Sequence, residues 1–195
     1  MKPYTSEKIA KREFDLLLPL KRSRVVVKRA TVDDVMVCLD FVNVNIPNST
    51  EDVSLIRNII SHNADNIFIF WKNDSIVGVY AMLMLTPLGL ERLLLAEFNG
   101  VDPDLKCLAK TGETPAGIYN WGVAAPGLAA DGIRHVSQFL QQPRYQNINL
   151  FSRPNTETGV RINLNLGFKP IGNVSDSLYR YVRLVNREPK LQQAA

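Results

Sequence analysis

Apolar and polar positions alternate along this chain in blocks that change period. Val25-Val26-Val27 is a short β-branched run between basic residues and predicts a first strand. Thr31 and Asp34 then form a capping-box-like start, and Val35, Met36, Leu39 and Val42 follow at helical spacing until Pro47. Ser49 or Thr50 is the expected cap of a second helix that carries Val53, Ile56, Ile59 and Ile60 on one face. Ile67 to Trp71 and Ile76 to Leu85 read as two strands, and the polar Lys72-Asn73-Asp74-Ser75 between them predicts a hairpin turn.

Beyond this hairpin the pattern is interrupted. Residues 87–115 contain a helical stretch (Leu88 to Phe98), a polar link (Asn99 to Asp104) and a Gly/Thr/Pro-rich exit. An insertion of this length serves either as a binding lid or as a packed cover held by Leu93, Leu94, Leu95 and Phe98. A strand is predicted over Gly117 to Ala124, a small-residue loop over Pro126 to Gly132 and a helix over Ile133 to Gln141. Asn147 to Phe151 reads as a further strand, and a last helix ends in Leu166-Gly167-Phe168. The glycine there suits a helix C-cap, where positive φ is wanted. Leu178 to Val185 is expected to form the final strand, with residues 186–195 a polar tail.

The order strand–helix–helix–hairpin, then strand–loop–helix–strand–helix, resembles the GNAT acyltransferase superfamily over residues 24–185. Lys28-Arg29-Ala30-Thr31-Val32-Asp33-Asp34, Gly78 and Leu166-Gly167-Phe168-Lys169-Pro170 carry the resemblance at its two ends. It implies one α/β (α+β) domain, with a mixed, splayed central sheet flanked by helices. It also implies acyl transfer, acetyl foremost, from an acyl-coenzyme A co-substrate to a small-molecule or protein amine. The alternative is a catalytically degenerate module that binds acyl-CoA, another ligand or a protein without turnover.

In the family, the start of the central helix holds the coenzyme A diphosphate. That place falls on Ala129, Ala130, Asp131, Gly132, Ile133 and Arg134, of which Gly132 alone matches the usual pattern. Backbone N–H groups do most of the holding at such a turn, so alanine serves nearly as well as glycine. Arg134 offers a cation and Asp131 an opposing charge. The resemblance further implies that Val123 and Ala124 present backbone to the pantetheine and that Asn155 assists it. Asn163 stands where the family often has a tyrosine acid, and asparagine does not protonate a thiolate near neutral pH. No carboxylate lies between Ala116 and Ala125, which leaves Glu113, and then Glu97, as candidate bases.

Charge and composition narrow the rest. Of 23 Lys and Arg, nine fall in residues 1–30 beside only three acids, so a basic arm over residues 1–23 is expected. It lacks interleaved aromatics or a groove-reading motif, which argues against nucleic acid and for a helix packed through Phe14, Leu16, Leu17 and Leu18. With 46% hydrophobic and 22% charged residues the composition is that of a globular protein, and no apolar run approaches the roughly 20 residues of a membrane span. Cys38, Cys107, His62 and His135 show no metal-ligand spacing, so no metal is expected. A cytoplasmic setting follows from the two apolar-context thiols, and a homodimer stays open.

Overall fold

The computed structural model describes residues 13–18, 25–46, 52–127, 129–172 and 177–187. Seven strands form one sheet in the order β1 (Val26–Arg29), β2 (Ile67–Lys72), β3 (Ser75–Leu85), β4 (Gly117–Ala124), β5 (Leu150–Ser152), β7 (Tyr179–Tyr181) and β6 (Lys169–Pro170). Every neighbouring pair is antiparallel except β4 and β5. The helices are α1 (Val35–Asn45), α2 (Val53–His62), α3 (Pro87–Leu94), α4 (Ala129–Phe139) and α5 (Glu157–Asn165).

Local chemistry accounts for these boundaries. Thr31 N and Oγ1 both donate to Asp34 Oδ2, closing the entry to α1 as expected. The cap of α2 is Asp52, whose Oδ1 accepts from Leu55 N, and Ser49 and Thr50 lie outside the described residues. The β2–β3 turn places Asn73 at φ 48° and Asp74 at φ 59°, the pair of positive φ angles that lets a two-residue turn follow the strand twist. At the end of α5, Phe168 N donates to Asn163 O and Gly167 N to Leu164 O, with Gly167 at φ 87°. This is the six-to-one and five-to-two closure for which glycine is favoured.

Strand parity separates two apolar layers. Ile67, Ile69, Val79 and Leu83 face α1 and α2, while Phe68, Phe70, Met82 and Met84 face α4. The second layer extends to the N-terminal segment, where Phe14 and Leu17 are buried, as the expected packing through these residues requires. Phe14 is fully buried, packing edge-on to Phe168 with ring centroids 6.5 Å apart and against Tyr181 at 5.9 Å. Burying one such ring contributes about 1.5–3 kcal/mol. Asp15 lies 2.7 Å from Nε of the fully buried Arg183, and Arg187 makes a forked pair with Glu13. Residues 13–18 therefore pack on the domain, as a 3-10 turn over Phe14–Leu16 and not as the expected helix. Leu16 and Leu18 stay exposed, and the remaining arm residues, 1–12 and 19–23, lie outside the described residues.

The insertion is a cover and not only a loop. Thr86 caps α3 through its bond from Gly89 N, and Leu93 and Phe98 are buried while Leu94 and Leu95 are exposed. The helix stops at Leu94, four residues short of the expected end. The final strand is also shorter than expected, because a 3-10 turn takes over Leu184–Asn186. No described helix is long and apolar enough to cross a membrane.

Candidate functional site

The parallel β4–β5 pair is short. Its register runs from Ile118↔Leu150 to Asn120↔Ser152, after which β4 continues through Trp121, Gly122, Val123 and Ala124 with no strand partner on that side among the described residues. These four residues leave about 13 Å of open strand edge. On its other side, β4 pairs Gly122 with Ala81 and Asn120 with Met82, so Trp121 is an extra residue. A bulge of this kind leaves the inserted residue outside the regular ladder and re-aims its side chain. Here it puts Trp121 and Gly122 consecutively on the α1/α2 face, where both line a cavity. A Cβ on Gly122 would meet nothing within 4 Å among the described residues, which leaves the backbone there clear for a ligand.

That cavity has a volume of about 420 Å3. Leu39, Val42 and Ile46 of α1 and its C-cap, Ile56 of α2, and Ile67, Val79 and Ala81 of the sheet form its apolar walls. Trp121 Nε1 donates to Gly100 O at 2.6 Å, which ties the insertion to the strand at the cavity mouth. Arg153 Nη2 donates to Leu93 O at 3.1 Å and is the one charged side chain among the described lining residues. Burial, with a smaller effect of Asp34, pushes the Cys38 thiol up to about 12, so it sits in the wall as a neutral apolar group.

The sequence-derived residues divide between this cavity and the core. Ala124 and Asn155 line the cavity, and Val123 sits on the open edge of β4. Ala129 to Arg134 form the first turns of α4, on the opposite face of the sheet, and the helix begins earlier than the expected Ile133. Gly132 and Ile133 are turned into the core. A Cβ on Gly132 would fall closer than 3.0 Å to three atoms of the Phe70 ring, so glycine is required there by the sheet behind it. Asp131 is buried in the first turn, where its charge favours the positive helix end and opposes an anionic ligand. Arg134 Nη1 donates to Leu18 O at 2.8 Å, so the expected phosphate cation is directed to the N-terminal segment. Ala130 is half-buried beside it.

Neither candidate base lines the cavity. Glu113 is exposed and closes a turn before β4, its Oε2 accepting from Lys110 N at 2.8 Å. Glu97 is exposed just beyond α3. Asn163 is buried, and its Nδ2 has no hydrogen-bond partner among the described residues. His62 Nε2 lies 2.9 Å from Leu108 O and ties α2 to the insertion. The described residues hold no cluster of three or more His, Cys, Asp or Glu side chains arranged for a metal ion.

Two features were missed in the sequence. The bulge at Trp121 has no local marker except the small residues around it. The second is a buried group on Asp65, which accepts from Tyr145 Oη and pairs with Arg29 Nε at 2.5 Å. It joins segments far apart in the chain, so no spacing rule finds it.

No family model matches the chain, and no curated protein matches it. Solved structures do. The loading GNATL domain of CurA from Lyngbya majuscula superposes with a TM-score of 0.57 at 12% identity, covering 81% of this chain and 97% of that one. Ard1 from Thermoplasma volcanium gives 0.55 at 9% identity, over 83% and 99%. A GNAT-family acetyltransferase from Listeria monocytogenes 4b F2365 gives 0.53 at 15% identity, over 80% and 92%. With the strand order, the single parallel pair and the splay beyond Asn120, these superpositions establish that the chain has the GNAT fold.

Proposed function

We propose that this protein is an acyl-coenzyme A-dependent N-acyltransferase, with acetyl-CoA or another acyl-CoA as co-substrate and a small-molecule or protein amine as acceptor. The observation that carries this reading is the coincidence of three features at one place. β4 loses its β5 partner after Asn120, bulges at Trp121, and opens there onto the cavity.

The residues present fit the extended arm of the co-substrate. Its amides would add to the free edge of Trp121 to Ala124 as an extra strand does, with Gly122 leaving the backbone clear and Asn155 at the rim. The diphosphate would meet the N–H groups at the start of α4. Arg134 already serves Leu18 O and Asp131 opposes the charge, so this end is held by backbone and binds modestly. A backbone N–H at the bulge is the group suited to polarise the thioester carbonyl. With no carboxylate among the described lining residues, the acceptor enters as a neutral amine and passes its proton to water at the open mouth. Two buried free thiols fit a reducing, cytoplasmic setting.

The test is release of coenzyme A thiol from acyl-CoA against a panel of amines. Acceptor-dependent release supports transfer. A second reading, a binding module without turnover, draws on Asn163, which stands where the resemblance puts a proton donor and is buried outside the cavity lining. Binding of coenzyme A without release from any acceptor would select it.

A further inference from the structure

The lining of the cavity bears on what it holds, provided that the acyl-CoA reading is right. Leu39, Ile56, Ile67 and Val79 are buried, and Val42 and Ala81 complete an almost continuous hydrocarbon wall from α1 and α2 to the sheet. A protonated amine would find no anionic partner among the described lining residues and would share the space with Arg153. An acetyl group would fill little of it. At the ~30 Å3 that a water-sized group takes up in a liquid, about 420 Å3 has room for on the order of ten such groups. Apolar walls hold water poorly, so leaving the volume wet costs free energy that a hydrocarbon guest recovers.

We propose that this cavity receives the hydrocarbon tail of an acyl group longer than acetyl, so that the co-substrate class is a medium-chain acyl-CoA. The thioester sits at the bulge of Trp121 and Gly122, and the tail turns from there between α1 and the β2–β3 floor. Acceptors then approach from the solvent side, past Val101 and Asn155, both exposed at the rim.

The experiment is calorimetric titration of the full chain with coenzyme A, acetyl-CoA, butyryl-CoA and hexanoyl-CoA. Each methylene buried in an apolar wall is worth up to about a fourfold gain in affinity. Hexanoyl-CoA is therefore expected to bind at least tenfold more tightly than acetyl-CoA, with butyryl-CoA between them. Ala81→Phe, which fills the cavity from β3, is expected to bring hexanoyl-CoA back to the acetyl-CoA affinity, with its thermal midpoint as the folding control. Val42→Trp fills it from α1 and serves if the first variant does not fold. Equal binding of acetyl and hexanoyl esters overturns the chain-length assignment alone. A hexanoyl preference that survives a folded cavity-filling variant places the tail elsewhere and overturns it as well. No binding of coenzyme A or any ester overturns the acyl-CoA reading itself.

Discussion

Gly132→Ala separates two explanations of the glycine at the start of α4, because they predict opposite signs. In an ordinary helix interior the change from Gly to Ala stabilises by about 1 kcal/mol. Here the new methyl would lie closer than 3.0 Å to Cε2, Cζ and Cδ2 of Phe70, a ring with no solvent exposure. Either the ring leaves its well-packed position or α4 lifts off the sheet. Overpacking of this kind costs typically about 1–3 kcal/mol, and with three ring atoms in the way the upper end applies. After the helix gain, the net loss is roughly 2 kcal/mol. For a chain of this size each kcal/mol moves the midpoint by about 2–4 °C, so thermal unfolding should show a drop of about 4–8 °C. Phe70→Leu makes room, and in that background Gly132→Ala should cost at least about 1 kcal/mol less, the coupling expected of residues in contact. Gly122→Ala is the control, since nothing lies within 4 Å of its added methyl. A Gly132→Ala protein as stable as the parent, or one with the same loss whether or not Phe70 is present, would refute the packing account and return Gly132 to a ligand-facing role.

Asp15→Ala leaves Arg183 buried without its carboxylate, although its guanidinium still donates to Leu140 O and Tyr145 O. The expected loss is about 3–5 kcal/mol by urea unfolding, and a loss below about 1 kcal/mol would contradict the pairing. The Arg187 hydrogen bond holds the Glu13 carboxyl below its ordinary 4.5, against the opposing effect of burial. Its contribution is therefore present above that value and lost as pH falls through the lowered one. Stability–pH curves of the parent and Glu13→Gln should converge in acid and separate toward neutral pH, and parallel curves would argue against it. Glu113→Gln and Glu97→Gln should leave turnover within about twofold, because neither side chain lines the cavity. A drop of about 10²–10⁴ would restore one of them as the base.

Local signals carried much of the fold. The asparagine–aspartate turn of the hairpin, the Thr31–Asp34 box, β4 and the Gly167 closure all depend on residues a few positions apart, and each lies where the pattern puts it. Long-range packing moved the rest. Phe14 reads as a packing residue, but its partners Phe168 and Tyr181 lie more than 150 positions away and no local pattern names them. Gly132 fits a phosphate-loop pattern, but its place is set by Phe70, more than sixty positions earlier. The cavity was the least legible part, since its walls come from α1, α2, β2, β3, β4 and two loops. Which β4 side chains face it depends on the bulge at Trp121, and strict alternation would have put only one of Trp121 and Gly122 there.

The central claim is that the open edge of β4 beyond Asn120 receives the extended arm of an acyl-CoA. Backbone amide resonances, followed while coenzyme A is added, test it most directly. The account predicts saturable shifts at Trp121, Gly122, Val123 and Ala124 and at the first turn of α4 from Ala129, with the β1–β2 edge (Val26 to Arg29) unmoved. Saturation that leaves those β4 amides unshifted, or shifts confined to another part of the sheet, would contradict it.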